Sequence, residues 1–284
     1  MKLATIQLDE LPVYGRVDGD ELVIPDNAYR QQYPALVDVL AAGAASGMQA
    51  AGESQRVSLE SAEYLSPLPN PTKVICVGVN YLAHMREMGR PEPEYPLLFT
   101  RYADTLVGHG QKLLRPRNST QYDFEGELAF VIGRQAHHVA KADALDYVAG
   151  YTCFMDGSLR DYQHHTTQII AGKNFWRSGA CGPWLVTADE IPDPSVLKLQ
   201  TRLNGDVMQE APVSDIKFDI PYLVEYISSF CPLSPGDIIS TGTPSGVGYG
   251  REPQLWMQPG DVIEVDIDGI GILRNPIVAE TVSG

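Results

Sequence analysis

The sequence predicts a mixed α/β, β-rich fold: a sheet or barrel-like main domain preceded by a small N-terminal β module. Three observations carry this reading. Segments rich in β-forming residues are short and end at Gly or Pro, helical periodicity is rare, and prolines cluster at Pro67, Pro69 and Pro71. In chain order, LATIQL, PVYGRV and ELVIP read as strands, and the DGD at 18–20 supplies hairpin turn chemistry. PALVDVLAAG, residues 34–43, reads as a helix, and a polar, Ser-rich stretch then leads to the prolines. The module is therefore placed at 1–68 and the main domain at 69–284. In the main domain KVICVGV, PLLFT, ELAFVIG, AGYTCFM, PWLVT, LKLQTRL, DIISTG, DVIEVDI and ILRNPIV read as strands. The clearest helix is IPYLVEYISSF, where Ile220, Leu223, Val224, Ile227 and Phe230 form a core-facing stripe. No repeat or low-complexity segment interrupts the pattern.

The bulk properties exclude several functions. A chain of 284 residues supports one large core and a small extra module. The net charge is -15, and Lys and Arg are scattered rather than gathered into the stripe that nucleic acid requires. No apolar run reaches the roughly 18 residues of a membrane span. The opening MKLATIQLDELPVYG lacks a basic segment followed by an apolar one, so no secretory signal is expected. Cys76, Cys153, Cys181 and Cys231 form no CxxC pair, and three of them sit among apolar neighbours. They read as buried reduced thiols, which makes the expected compartment cytoplasmic and excludes a thiolate zinc site by spacing.

The most informative stretch is DFEGELAFVIG, residues 123–133. Alternation along a strand puts Glu125, Glu127, Ala129 and Val131 on one face and Phe124, Leu128, Phe130 and Ile132 on the other. Apolar residues on both faces imply a strand buried on both sides. Two carboxylates at i and i+2 there would repel and lose solvation, and a bound cation removes both penalties. The competing reading is a strand end emerging into water. Asp156, closing the apolar run GYTCFMD, offers a third carboxylate in a similar setting. Three oxygen donors without a nearby His or Cys suit a hard ion: Mg²⁺, Mn²⁺ or Ca²⁺.

In NYLAHMREMG, residues 80–89, a helix would place His84 and Glu87 on one face. A carboxylate beside an imidazole fixes its tautomer and prepares it as a general base; an ordinary surface pair is the alternative. The following GRPEPEY reads as a loop able to move over a site. The Gly-rich TGTPSGVGYG lacks the GxxxxGK[ST] pattern and reads as a tight turn. The doublets His137–His138 and His164–His165 point their neighbouring rings apart, so neither is a natural chelate.

Taken in order, these pieces resemble the fumarylacetoacetate hydrolase family over about residues 68–280. KVICVGVNYLAH resembles its Gly…Asn-Tyr-x-x-His opening, EGELAFVIG its ExE metal strand, and GYTCFMDGSLRDYQ its third-ligand segment. GKNF, LNGDVMQ, LSPGDIISTGTPSGVG and QPGDVIEVDIDGIGILRNPI follow the family's later segments. The resemblance implies a rolled β-sheet fold, a homodimer, and Mg²⁺ or Mn²⁺ held by Glu125, Glu127 and Asp156. It implies His84 with Glu87 as a water-activating pair and Lys173 as the active-site lysine. Arg101, Gln163 and Thr243 fall where relatives contact the substrate.

The chemistry this implies is hydrolysis of a C–C bond in a small 2,4-dioxo acid of the acylpyruvate or fumarylpyruvate type, as in aromatic-compound catabolism. A hard cation serves as the electron sink and His84 activates the water. The same electron sink supports oxaloacetate-type decarboxylation and keto–enol or diene-dioate isomerisation, so a dicarboxylic acid substrate is the alternative. The chain has no GxSxG elbow for a serine nucleophile. A non-catalytic scaffold is disfavoured because Glu125, Glu127, Asp156, His84, Glu87 and Lys173 are all present. One departure is Trp176 and Arg177 in NFWR, where relatives carry a small or hydroxyl residue. It is either a variant loop or an added cation near the distal end of the substrate.

Overall fold

The computed structural model describes residues 1–281. Strand outweighs helix, 38% to 21%, as the spacing of Gly and Pro predicts. Ten strands of the larger sheet follow one path. It runs Glu53–Ser58, Glu21–Pro25, Leu11–Asp18, Lys2–Leu8, Gly179–Thr187, Val148–Met155, Gly126–Ile132, Ile238–Ser240, Val74–Gly78, Leu97–Arg101. A smaller sheet orders Asp206–Pro212, Lys198–Leu203, Val262–Ile267, Gly271–Ala279 and Leu113–Arg115.

The expected hairpin forms at Gly19, whose φ of +62° the missing Cβ permits. The strands of residues 1–68 do not stand apart. Lys2–Leu8 pairs with Gly179–Thr187, Lys2 opposite Val186, so these strands extend the large sheet.

The central strand Gly126–Ile132 is buried throughout, on both faces as its sequence requires. Leu128, Phe130 and Ile132 pack into the core shared with Leu199, Leu203, Val265 and Ile267 of the smaller sheet. Ala129 and Val131 face the opposite way, against Leu36, Val39 and Leu40 of the short helix Leu36–Ala41. Each large apolar side chain so buried contributes about 1.5–3 kcal/mol, which fixes the strand that carries the carboxylates.

Helix Ile220–Ser228 starts where Asp219 accepts from the Tyr222 N–H at 2.8 Å. Ile220, Leu223, Val224 and Ile227 are buried as expected. Phe230 is a correction: it lies past the helix end, is 61% exposed, and packs edge-on against Tyr226. The stripe closes at Ile227 because the chain leaves the helical path before Phe230 can turn inward. Among the described residues no helix is long and apolar enough to cross a membrane.

Candidate active site

Antiparallel pairing brings the carboxylates together. Gly126 lies opposite Met155 and Glu127 opposite Phe154. One step further, the Asp156 N–H donates to the Glu125 carbonyl at 2.9 Å. Residues opposite one another share a face, so Glu125, Glu127 and Asp156 converge at one end of the two strands. Their ligand oxygens lie within 4.8 Å of one another, and all three residues are buried. Gly126 between the glutamates is forced: a Cβ there would sit 2.0 Å from Thr201 Oγ1. The sequence EGE thus lets the two sheets close while presenting both acids.

The three acids are held differently. Glu127 accepts from the Ser240 hydroxyl and from the Gly242 N–H at 3.0 Å. Burial, together with the charges of Asp156 and Glu125, pushes its carboxyl well above the usual range. Glu125 accepts from Arg160 at 2.6 Å, from Ser158 at 3.0 Å and from Lys173. Burial works against its ionisation, but the Arg160 and Lys173 charges outweigh it and hold Glu125 below the carboxylate range. Asp156 accepts from Arg101 at 2.6 Å and Lys173 at 2.7 Å. Burial opposes the ammonium of Lys173, yet Asp156 and Glu125 raise its pKa, so it stays charged.

Four buried carboxylates, Asp123, Glu125, Glu127 and Asp156, meet three buried cations, Arg101, Arg160 and Lys173. One negative charge is therefore in excess, and it falls on Glu127. A proton neutralises it. A divalent ion more than cancels it and leaves positive charge for an anionic ligand. With oxygen-only donors this close, the residues present fit a hard cation.

His84 and Glu87 occupy helix Leu82–Glu87, and His84 Nδ1 lies 2.8 Å from Glu87 Oε2. The other oxygen of Glu87 accepts from the Gly246 N–H at 2.8 Å, which pins the carboxylate. The Glu87 carboxylate accepts a hydrogen bond from Nδ1–H, which leaves Nε2 as the basic nitrogen facing away from it. His84, Lys173, Gln163 and Thr243 join the three acids around one cavity of about 60 Å³.

Residues 73–278, well over half of the chain, match the family model described as Fumarylacetoacetate (FAA) hydrolase C-terminal. The chain belongs to the fumarylacetoacetate hydrolase family. It is 43% identical over 224 residues to the oxaloacetate tautomerase YisK of Bacillus subtilis, covering 78% of this chain and 74% of that protein. The solved structure of a fumarylacetoacetate hydrolase from Exiguobacterium antarcticum superposes with a TM-score of 0.86 at 31% identity, covering 99% of this chain and 100% of that one. The maleylpyruvate hydrolase of Sphingobium sp. SYK-6, solved with manganese and pyruvate, superposes with a TM-score of 0.81 at 28% identity, again covering 99% and 100%. Members of this fumarylacetoacetate hydrolase group thus include hydrolases and tautomerases.

Two residues sit differently from the sequence expectation. Arg101 is buried and donates to Asp156, to the Gly157 carbonyl at 3.0 Å and to Ser178 Oγ at 2.7 Å. Its donors are committed behind the carboxylate, so it braces Asp156 rather than lining the cavity. Arg177 lies outside the cavity altogether. It donates to Gln111 Oε1 and the Lys112 carbonyl and lines a separate hollow of about 530 Å³ with Glu60 and His109. A positive φ of 52° at Arg177 turns the chain away, and the reading of an added substrate cation falls with it. Trp176 is exposed.

Sequence reasoning missed Arg160, Asp123, Arg90 and the cavity-facing His164. Arg160 donates to Asp123 at 2.8 Å, to Glu125 and to Gln163 at 2.8 Å. Asp123 in turn accepts from the Gly248 and Tyr249 N–H groups at 2.7 and 3.0 Å, tying down the Gly-rich loop. Its carboxyl is raised by burial and lowered in part by Arg160. A signal existed. Buried acids demand a nearby cation, and Arg160 follows Asp156 by four residues, just past the short strand Ser158–Leu159. His164 and Arg90 line the cavity, and neither carries a motif.

Proposed function

We propose that the protein is a divalent-metal-dependent tautomerase that interconverts the keto and enol forms of an oxaloacetate-like 2-oxo dicarboxylic acid. The observation that carries this is the small cavity lined by the three carboxylates and by His84, with Glu87 behind the imidazole. About 60 Å³ of cavity holds only a handful of water-sized groups. A compact site of this kind suits a small acid handled by proton transfer. The name of the Bacillus subtilis relative points the same way.

A divalent ion held by Glu125, Glu127 and Asp156 would supply the positive charge that makes the protons next to a 2-oxo group acidic. His84 Nε2 takes a proton from C3, and the resulting imidazolium is stabilised by Glu87. Glu87 is fixed by Gly246, so the proton acceptor does not have to be ordered at each turnover. Lys173 presents its ammonium to the negative charge that develops on the 2-oxo oxygen. His84 then returns the proton to that oxygen, and the enol leaves.

Hydrolysis of an acylpyruvate is the second reading. The same His84–Glu87 pair can activate water, and the hydrolase neighbours share the fold. Oxaloacetate, acetylpyruvate and fumarylpyruvate, each followed by NMR with Mn²⁺ present, separate the two. Accelerated keto–enol exchange of oxaloacetate without C–C cleavage supports the tautomerase. Pyruvate released from an acylpyruvate, with oxaloacetate exchange at the spontaneous rate, overturns it in favour of hydrolysis.

A further inference from the structure

Arg90 has no part in the chemistry above, yet it lines the cavity beside His84 and Met88. Its placement follows from how helix Leu82–Glu87 ends. Gly89 adopts a φ of +61°; its N–H donates to the Arg86 carbonyl at 3.1 Å and the Arg90 N–H to the Met85 carbonyl at 2.9 Å. This paired closure is the Schellman end of a helix, and it relies on a residue that tolerates the left-handed region. The backbone of Arg90 is thereby clamped to the helix that carries His84. Beyond it the loop is anchored again, by Glu92 to Lys217 at 3.3 Å and by Tyr95 stacked on Tyr226 at 6.0 Å.

The other strong cations around the cavity stand among the buried acids. Lys173 is shared by Glu125 and Asp156, and Arg160 serves Asp123, Glu125 and Gln163. The Arg90 guanidinium is exposed and has no hydrogen-bond or ion-pair partner among the described residues. A guanidinium is a planar fork matched to a carboxylate. On that reading the 2-oxo acid end would lie against Lys173 and the ion that the triad would hold, which leaves the free fork at the cavity edge for the other end.

We propose that Arg90 binds the second carboxylate of a dicarboxylic substrate and so selects dicarboxylates over 2-oxo monocarboxylates. The inference rests on the tautomerase reading for its substrate class. Because Arg90 and His84 ride on one clamped segment, the same contact sets His84 over C3.

The test compares oxaloacetate with 2-oxobutanoate, which carries a methyl group in place of the distal carboxylate. Both ligands are titrated into the Mn²⁺-loaded wild type, Arg90→Gln and Arg90→Lys, and proton exchange at C3 is followed separately by NMR. A charge-assisted contact of this kind predicts that Arg90→Gln weakens oxaloacetate binding about tenfold to a hundredfold and collapses the preference over 2-oxobutanoate. Arg90→Lys restores part of it. An unchanged preference in Arg90→Gln overturns the proposal, as does a proportional loss for both acids. If the wild type exchanges neither acid, the tautomerase reading fails by itself. The binding preference still decides on Arg90: lost in Arg90→Gln it stands, absent or retained it falls.

Discussion

Replacing Lys173 with Met probes the charge balance at its tightest point. The side chain is buried and its ammonium is shared between Asp156, at 2.7 Å, and Glu125. Removing one partner of a buried ion pair costs about 3–5 kcal/mol. Here each acid keeps one arginine, Asp156 with Arg101 and Glu125 with Arg160, both at 2.6 Å. A proton taken up by one of the carboxylates limits the loss further, so the lower figure, about 3 kcal/mol, is expected. At about 2–4 °C per kcal/mol for a large domain, the Tm of the metal-free variant should fall by about 6–12 °C. Mn²⁺ replaces the missing positive charge and should therefore raise the Tm of Lys173→Met more than that of the wild type. Thermal denaturation by circular dichroism, with EDTA or with Mn²⁺, reads both numbers. Turnover should drop about a hundredfold to a thousandfold with metal restored, the usual loss for a group facing developing charge. A metal-free variant as stable as the wild type would refute the charge balance. So would a Mn²⁺ increment no larger than that of the wild type.

Two further outcomes follow from the same geometry. His84→Gln should lower kcat for oxaloacetate tautomerisation by about a hundredfold to ten-thousandfold, while Mn²⁺ affinity by calorimetry stays within about twofold, because His84 is not a ligand. The raised Glu127 carboxyl makes metal binding pH-dependent. The metal-free native state holds a proton there that the unfolded chain has lost, so the contribution of Glu127 to stability declines as pH rises from the ordinary carboxylate range through its raised pKa. Mn²⁺ displaces that proton. The Tm gain on adding Mn²⁺ should therefore be larger near pH 8 than near about pH 5.5, with proton release detected by calorimetry in buffers of different ionisation heats.

Much of the fold was legible because its strands carry their own punctuation. The run ELAFVIG is apolar on both faces, and it is the strand buried between the two packed layers. The convergence of Glu125, Glu127 and Asp156 was legible from parity: i and i+2 share a face, and an acid ending the next apolar run lies opposite. The i, i+3 spacing of His84 and Glu87 likewise told of their contact. The role of Arg101 was not legible. Its sequence neighbours do not show that its donors are consumed by Asp156 and Ser178, which come from distant segments. The place of Arg177, between a variant loop and an added cation, was left open for a similar reason: its side chain lines another hollow. Arg90 escaped notice because its position depends on a helix end, and the Gly89 that makes it resembles any loop glycine. The resemblance to known relatives supplied roles for residues whose spacing alone left alternatives open.

The central claim is that the three buried carboxylates hold the ion on which enolisation depends, and it is tested most directly by chelation and restoration in parallel with Glu127→Gln. Enol oxaloacetate is mixed with EDTA-treated protein, and ketonisation is followed by its ultraviolet absorbance as Mn²⁺ is added back. The expected result is a rate at the spontaneous level after EDTA, full recovery in the wild type, and no recovery in Glu127→Gln at the same Mn²⁺ concentration. Catalysis that persists in EDTA, or a Glu127→Gln variant that recovers like the wild type, would contradict the assignment of the triad.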